Sequence, residues 1–205
     1  MRSDVYKFSG TEVDLAKIDE TAAKVAAYAN LGRKEQLRLV LLSEELLEMI
    51  PNLLRYGDGE FWIDCSGSKF EIHAVVYARD NLSSLERDDL IGVSKSGRNA
   101  AATGIVNKIR VAAETFFANY ALTAGSTGVN ADGMNAGMAN FCQLGMYDSP
   151  MGYSQQWSLS NYRNRAAGDS EAWDELEKSI IANIADDVTV GILNNTVEIT
   201  VKKSF

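Results

Sequence analysis

The chain is short of the residues that most often do chemistry. It has a single histidine, His73, and only two cysteines, Cys65 and Cys142, in 205 residues. No Cys/His spacing here builds a zinc site, and two lone cysteines make no disulfide framework. A histidine-based triad would have to use His73. That residue lies in an alternating, strand-like run and reads as structural. Cys65 reads as a small buried residue or a neutral exposed one.

Positive charge is also scarce. Twenty Lys and Arg against 28 Asp and Glu leave a net charge of −8. Phosphate binding needs a basic surface, so nucleic acid is not expected as a main partner. The same sign disfavours an anionic membrane. No apolar run approaches the roughly 18 residues of a membrane span. The first residues, MRSDVYKFSG, lack the apolar core of a signal peptide. A soluble, cytoplasmic protein is the expectation.

What is present is an ordinary globular composition, 46% hydrophobic and 23% charged. That is enough for a core, and one domain over 1–205 is expected. The most helical and most apolar run is LRLVLLSEELLEMIPNLL, residues 37–54. Leu39, Leu42, Leu46, Met49 and Leu53 make one stripe, and Leu37, Val40, Leu41 and Leu47 fill in much of the rest, as in a buried helix. Yet it carries Glu44, Glu45 and Glu48. Glu44 and Glu48 share a face, while Glu45 lies on another between Leu41 and Met49. These acids either edge a solvated groove or point into a site. Pro51 near the end breaks or kinks the helix.

Around this helix the order of elements is clear. Residues 4–9 alternate as a first strand, and 13–32 keep helical spacing through Val13, Ile18, Ala22, Val25 and Ala29, with Gly32 as the stop. GEFWIDCSGSKFEIHAVVYARD reads as a hairpin turning at SGS. A short helix is expected in 80–97 and a longer one in 98–121, the most basic segment. Residues 122–170 break all periodicity but carry Met134, Met138, Phe141, Met146, Met151, Tyr153 and Trp157. A plain linker would not use so many large apolar groups. The stretch reads as an irregular insertion with the character of a lid or binding loop. EAWDELEKSIIANIADD then reads as one helix, and TVGIL with TVEITV as a hairpin about Asn194–Asn195.

Strand, helix, long helix, hairpin, variable region, helix, hairpin describes an α+β, two-layer α/β sandwich. Its sheet is mixed but mostly antiparallel, covered on one face by helices, with a long irregular insertion. LVLLSEELLEMIPNLLRYGDGEFWID resembles the first signature of the GHKL (Bergerat-fold), histidine-kinase-like ATPases. IIANIADDVTVGILNNTVEITVKKSF resembles their C-terminal helix and strand pair, nearest to anti-sigma-factor serine kinases. The resemblance covers residues 5–80 and 172–205.

The resemblance implies a catalytic glutamate on the long helix and a magnesium ligand four residues on. Glu44 takes the first place and Glu48 stands where an asparagine is usual; Glu45 with Met49 is the other register. It implies an adenine-reading aspartate after the hairpin. Asp80, followed by Asn81, fits it, although the glycines that follow in the family are missing. It also implies a Gly-x-Gly before the C-terminal helix, and here that place reads Glu175–Leu176–Glu177. Each like-charge pair at about 4 Å costs on the order of 4 kcal/mol at an effective dielectric near 20. Ordinary ATP turnover is therefore not expected. Lys95 and Arg98, in GVSKSGRNAAATG, are the residues that would have to rebuild a phosphate site.

Two readings result. In the first, the chain is a degenerate ATPase-fold protein, without a cofactor, that regulates signalling or transcription by binding a protein partner, of sigma-factor type by the resemblance; homodimerisation is compatible with it. In the second, it binds ATP with magnesium as an anti-sigma-type serine kinase.

Overall fold

In the computed structural model the described residues are 1–9, 13–48, 50, 54, 57–78, 104–106, 109, 155–193 and 196–205. Their elements run β1 (Tyr6–Ser9), α1 (Leu15–Tyr28), α2 (Arg33–Glu48), β2 (Gly57–Ser66) and β3 (Lys69–Ala78). After the undescribed stretch come β4 (Gln155–Ser158), α3 (Leu159–Ala166), α4 (Ser170–Lys178) and α5 (Ile180–Ile184). The strands β5 (Asp187–Leu193) and β6 (Thr196–Ser204) close the chain. This is an α+β architecture. The six strands lie in the order β1-β2-β3-β6-β5-β4, and every pairing is antiparallel.

Strand alternation sets the two faces of the sheet. Phe61, Ile63 and Cys65 of β2 are buried in one core with Phe70, Ile72, Ala74 and Val76 of β3. Val197, Ile199 and Val201 of β6 join them, as do Val188 and Val190 of β5. The helices cover this face. Ile18, Ala22, Val25 and Ala26 come down from α1, and Leu39, Leu42, Leu46 and Leu47 from α2. The three- and four-residue steps read in the sequence thus form the buried stripes. Met49, Pro51 and Leu53 lie outside the described residues.

The close approach of β1 to β2 needs a glycine. Phe8 pairs with Gly59, and a Cβ there would fall 2.0 Å from the Phe8 ring. The stop of α1 differs from expectation. Asn30, not Gly32, takes the left-handed conformation (φ 54°), and the Leu31 N–H returns to the Ala26 carbonyl at 3.0 Å. The Gly32 N–H instead donates to Glu35 at the head of α2, 2.8 Å.

Two further expectations are corrected. The irregular insertion assigned to 122–170 contains, in its last part, β4 and α3. Trp157 there is fully buried in the core rather than a loop aromatic. The helix expected from 171 onward is two helices. Ser179 between them is extended (ψ 123°), and its hydroxyl accepts the Ala182 N–H at the start of α5. The helices expected within 80–97 and 98–121 fall mostly outside the described residues, as do the Asn194–Asn195 turn, Cys142 and residues 122–154.

Candidate functional site

A cavity of about 600 Å³ lies where α2 faces α4 and the start of α5. Glu45 of α2 forms one wall, Glu171, Asp174, Glu175 and Lys178 of α4 another, and Ile180 stands beside Ser179. Gly104, Ile105 and Val106 complete it. The residues on α4 share this side because they are three or four apart along a helix.

The wall is acidic. Burial pushes the Glu45 carboxyl above its ordinary value, and Glu48 and Glu44 push it further. Glu44 is raised too, by burial first and then by Asp19 of α1 and by Glu48. Glu44 therefore sits on the α1 side of α2 while Glu45 lines the cavity. Of the two registers on this helix, only the one beginning at Glu45 contributes to the cavity lining. Glu48 is exposed and does not line it. The wall's cation, Lys178, lies 3.6 Å from Asp174.

Among the described residues several backbone donors are already used by the chain itself. The Gly104 N–H (φ 86°) donates to Glu175 Oε1 at 3.2 Å, and the Tyr162 hydroxyl to Glu175 Oε2 at 2.9 Å. At the head of α4, Asp169 accepts the N–H groups of Glu171 and Ala172, 3.1 and 3.3 Å. At the head of α3, Asp187 accepts from Ser160 at 2.9 Å and Ser158 from Asn161 at 3.2 Å. A helix N-terminus attracts phosphate through free N–H groups and its dipole. Here those groups meet carboxylates and hydroxyls of the same chain.

The sequence motif at Glu175–Leu176–Glu177 is also placed differently from expectation. It lies inside α4 rather than ahead of a helix, with Leu176 buried and Glu175 turned to the cavity. Helical backbone there has no N–H to offer. Asp80, Asn81, Lys95 and Arg98 lie outside the described residues. The described lining of this cavity carries four carboxylates, Glu45, Glu171, Asp174 and Glu175, and one cation, Lys178. No group of three or more His, Cys, Asp or Glu among the described residues is arranged to hold a metal ion.

A second cluster, on the sheet face away from the helices, was not anticipated beyond a structural role for His73. The His73 ring stacks on Trp62, centroids 4.8 Å apart and planes within 10°. Its Nδ1 lies 2.9 Å from Glu198 Oε1. Arg2 lies over the Trp62 ring and holds Asp64 through two guanidinium nitrogens, 2.8 and 3.0 Å. The Trp62 indole N–H adds a third donor to Asp64, 3.1 Å. Next to it Lys7 and the Tyr77 hydroxyl meet Glu60, 2.9 and 3.1 Å. The signal in sequence was only the alternation of Trp62 and His73 with core residues. Arg2 and Glu198, which complete the cluster, lie far from it in the chain.

No family model matches the chain, and no curated protein or solved structure matches it. Among the described residues no helix is long and apolar enough to cross a membrane.

Proposed function

We propose that the chain is a histidine-kinase-like ATPase scaffold that has lost ordinary nucleotide turnover. It acts in the cytoplasm as a regulatory protein-binding module in signalling or transcription control. The family resemblance makes a regulator of sigma-factor type the expected class of partner. The fold reading is supported by the chain order, with a long helix before one hairpin, a helix before the other, and the hairpins side by side through β3 and β6.

The observation that carries the loss of turnover is that Gly104 and the heads of α3 and α4 already commit backbone donors to the chain's own acceptors, Glu175, Asp187, Ser158 and Asp169. A triphosphate would have to displace these contacts and approach Glu45, Glu171 and Asp174 as well. The alternative, an active serine kinase, would need its phosphate ligands from Lys95 and Arg98.

A thermal-shift titration with ATP and magnesium, beside ADP and adenosine, tests this. Ligand that binds only the folded state raises the melting temperature, by about 2.7 kcal/mol of stability at one hundred times Kd. The melting temperature is expected to stay unchanged. A magnesium-dependent rise overturns the reading in favour of the kinase.

A further inference from the structure

The solvent side of α2 carries an unusual pairing of apolar and acidic groups. Leu37 and Leu41 are 56% and 40% exposed, one turn apart, and the next turn on the same line brings Glu45. Glu44 and Glu48 flank them toward the end of α2, and Arg33, Lys34 and Arg38 toward its start. Across the cavity, Ile180 is 47% exposed at the start of α5, which packs against α2. An apolar ridge thus runs into an acidic cleft. Exposed leucines at helical spacing beside a groove are how a second helix is received, ridge into groove.

The charge decides the occupant. Among the described residues Glu44, Glu45 and Glu48 have no cationic partner, and burial together with neighbouring acids raises the first two. The cleft lining carries four carboxylates, Glu45, Glu171, Asp174 and Glu175, against one cation, Lys178, and so favours a cationic occupant. We propose that this surface docks an amphipathic helix of a protein partner, its apolar side on Leu37, Leu41 and Ile180 and its Lys or Arg residues in the acidic cleft. This rests on the protein-binding reading above and names the chemistry of the partner.

The test uses the full chain and a fluorescent 16-residue Leu/Lys peptide patterned as an amphipathic helix. A scrambled peptide of the same composition and a Leu/Glu counterpart are the controls. Anisotropy should show micromolar binding of the amphipathic Leu/Lys peptide alone, weakening as salt rises past the Debye regime of about 10 Å at 0.1 M. Leu41→Asp and the pair Glu45→Lys with Asp174→Lys should each weaken it by about tenfold or more. Tyr77→Ser, on the opposite face of the sheet, should leave it unchanged. All these residues are exposed or partly exposed, and circular dichroism melts confirm folding.

Equal binding by all variants, or by the scrambled peptide, overturns the proposal as mere attraction to an acidic chain. So does no binding by the parent. So does a homodimer that Leu41→Asp dissociates, since the surface would then belong to a second copy. The two failures separate cleanly. A magnesium–ATP shift removes the regulatory reading whatever the peptide does, while peptide failure without that shift moves the partner to another surface.

Discussion

The two faces of this molecule treat their carboxylates in opposite ways. On the helix-free side of the sheet each acid meets donors. The Arg2 guanidinium holds Asp64 below the ordinary carboxylate range, against the opposing effect of burial. Lys7 does the same for Glu60, with help from Tyr77. At the sheet's end burial opposes the ionisation of Asp186, but Lys203 and the Ser204 N–H outweigh it. On the helix side burial raises Glu44 and Glu45, and neighbouring acids add to it, Asp19 and Glu48 for the first and Glu48 and Glu44 for the second. An acid with partners belongs to the fold. An acid left to repel its neighbours points to something the chain is built to meet.

Four substitutions would break or sharpen this contrast. The largest effect is expected at His73, which is 8% exposed, stacks on Trp62 and meets Glu198. His73→Ala should cost about 2–3 kcal/mol in chemical denaturation, through the lost packing and the lost contact with Glu198. Glu175 is the acid of the cleft that behaves like those of the other face, since it accepts from Gly104 and Tyr162. Glu175→Ala should cost about 1–2 kcal/mol. A neutral result there would mean the cleft contains no structural acid at all.

Asp64→Asn should cost less, under about 1 kcal/mol for a partly exposed pair. Its sign with pH follows from a folded pKa that is depressed. The stabilisation is present above the unfolded value and is lost as pH falls through the folded one, so parent and variant melts should converge in acid. Glu45→Gln gives the smallest effect and the opposite sign. Its folded pKa is raised, so the ionised form burdens the fold at neutral pH. The variant should melt higher than the parent near pH 7, and the gap should close as pH falls toward about 4.3, the unfolded glutamate value.

The sequence showed the framework well and the site only in part. The period-two runs at Phe61–Cys65 and Phe70–Val76 and the stripe through Leu39, Leu42 and Leu46 are strong because each is long and local. Four-residue β4 is too short to show a period, and α3, LSNYRNRA, is too polar. α3 is held from elsewhere, with Arg163 donating to the Asp186 carbonyl at 2.9 Å and the Ala185 carbonyl at 3.2 Å beyond α5. Ser179 hides in the sequence because serine weakens a helix only slightly, although its capping hydroxyl splits one here. Spacing alone could not choose between Glu44 and Glu45, which are neighbours about 100° apart on the helix. Only the position of α4 across the cavity assigns them to different surroundings. Register pairs Trp62 with His73, but Glu198 arrives from 125 residues away, beyond any local pattern.

The most direct test of the contrast is a carbon-detected NMR titration of the side-chain carboxyls in the full chain. Glu44 and Glu45 should titrate above the ordinary glutamate value, and Glu60, Asp64 and Asp186 below their ordinary values. Glu45 titrating at or below its ordinary value would contradict the account, because the cleft would then already supply the positive partner that the proposed ligand is meant to bring.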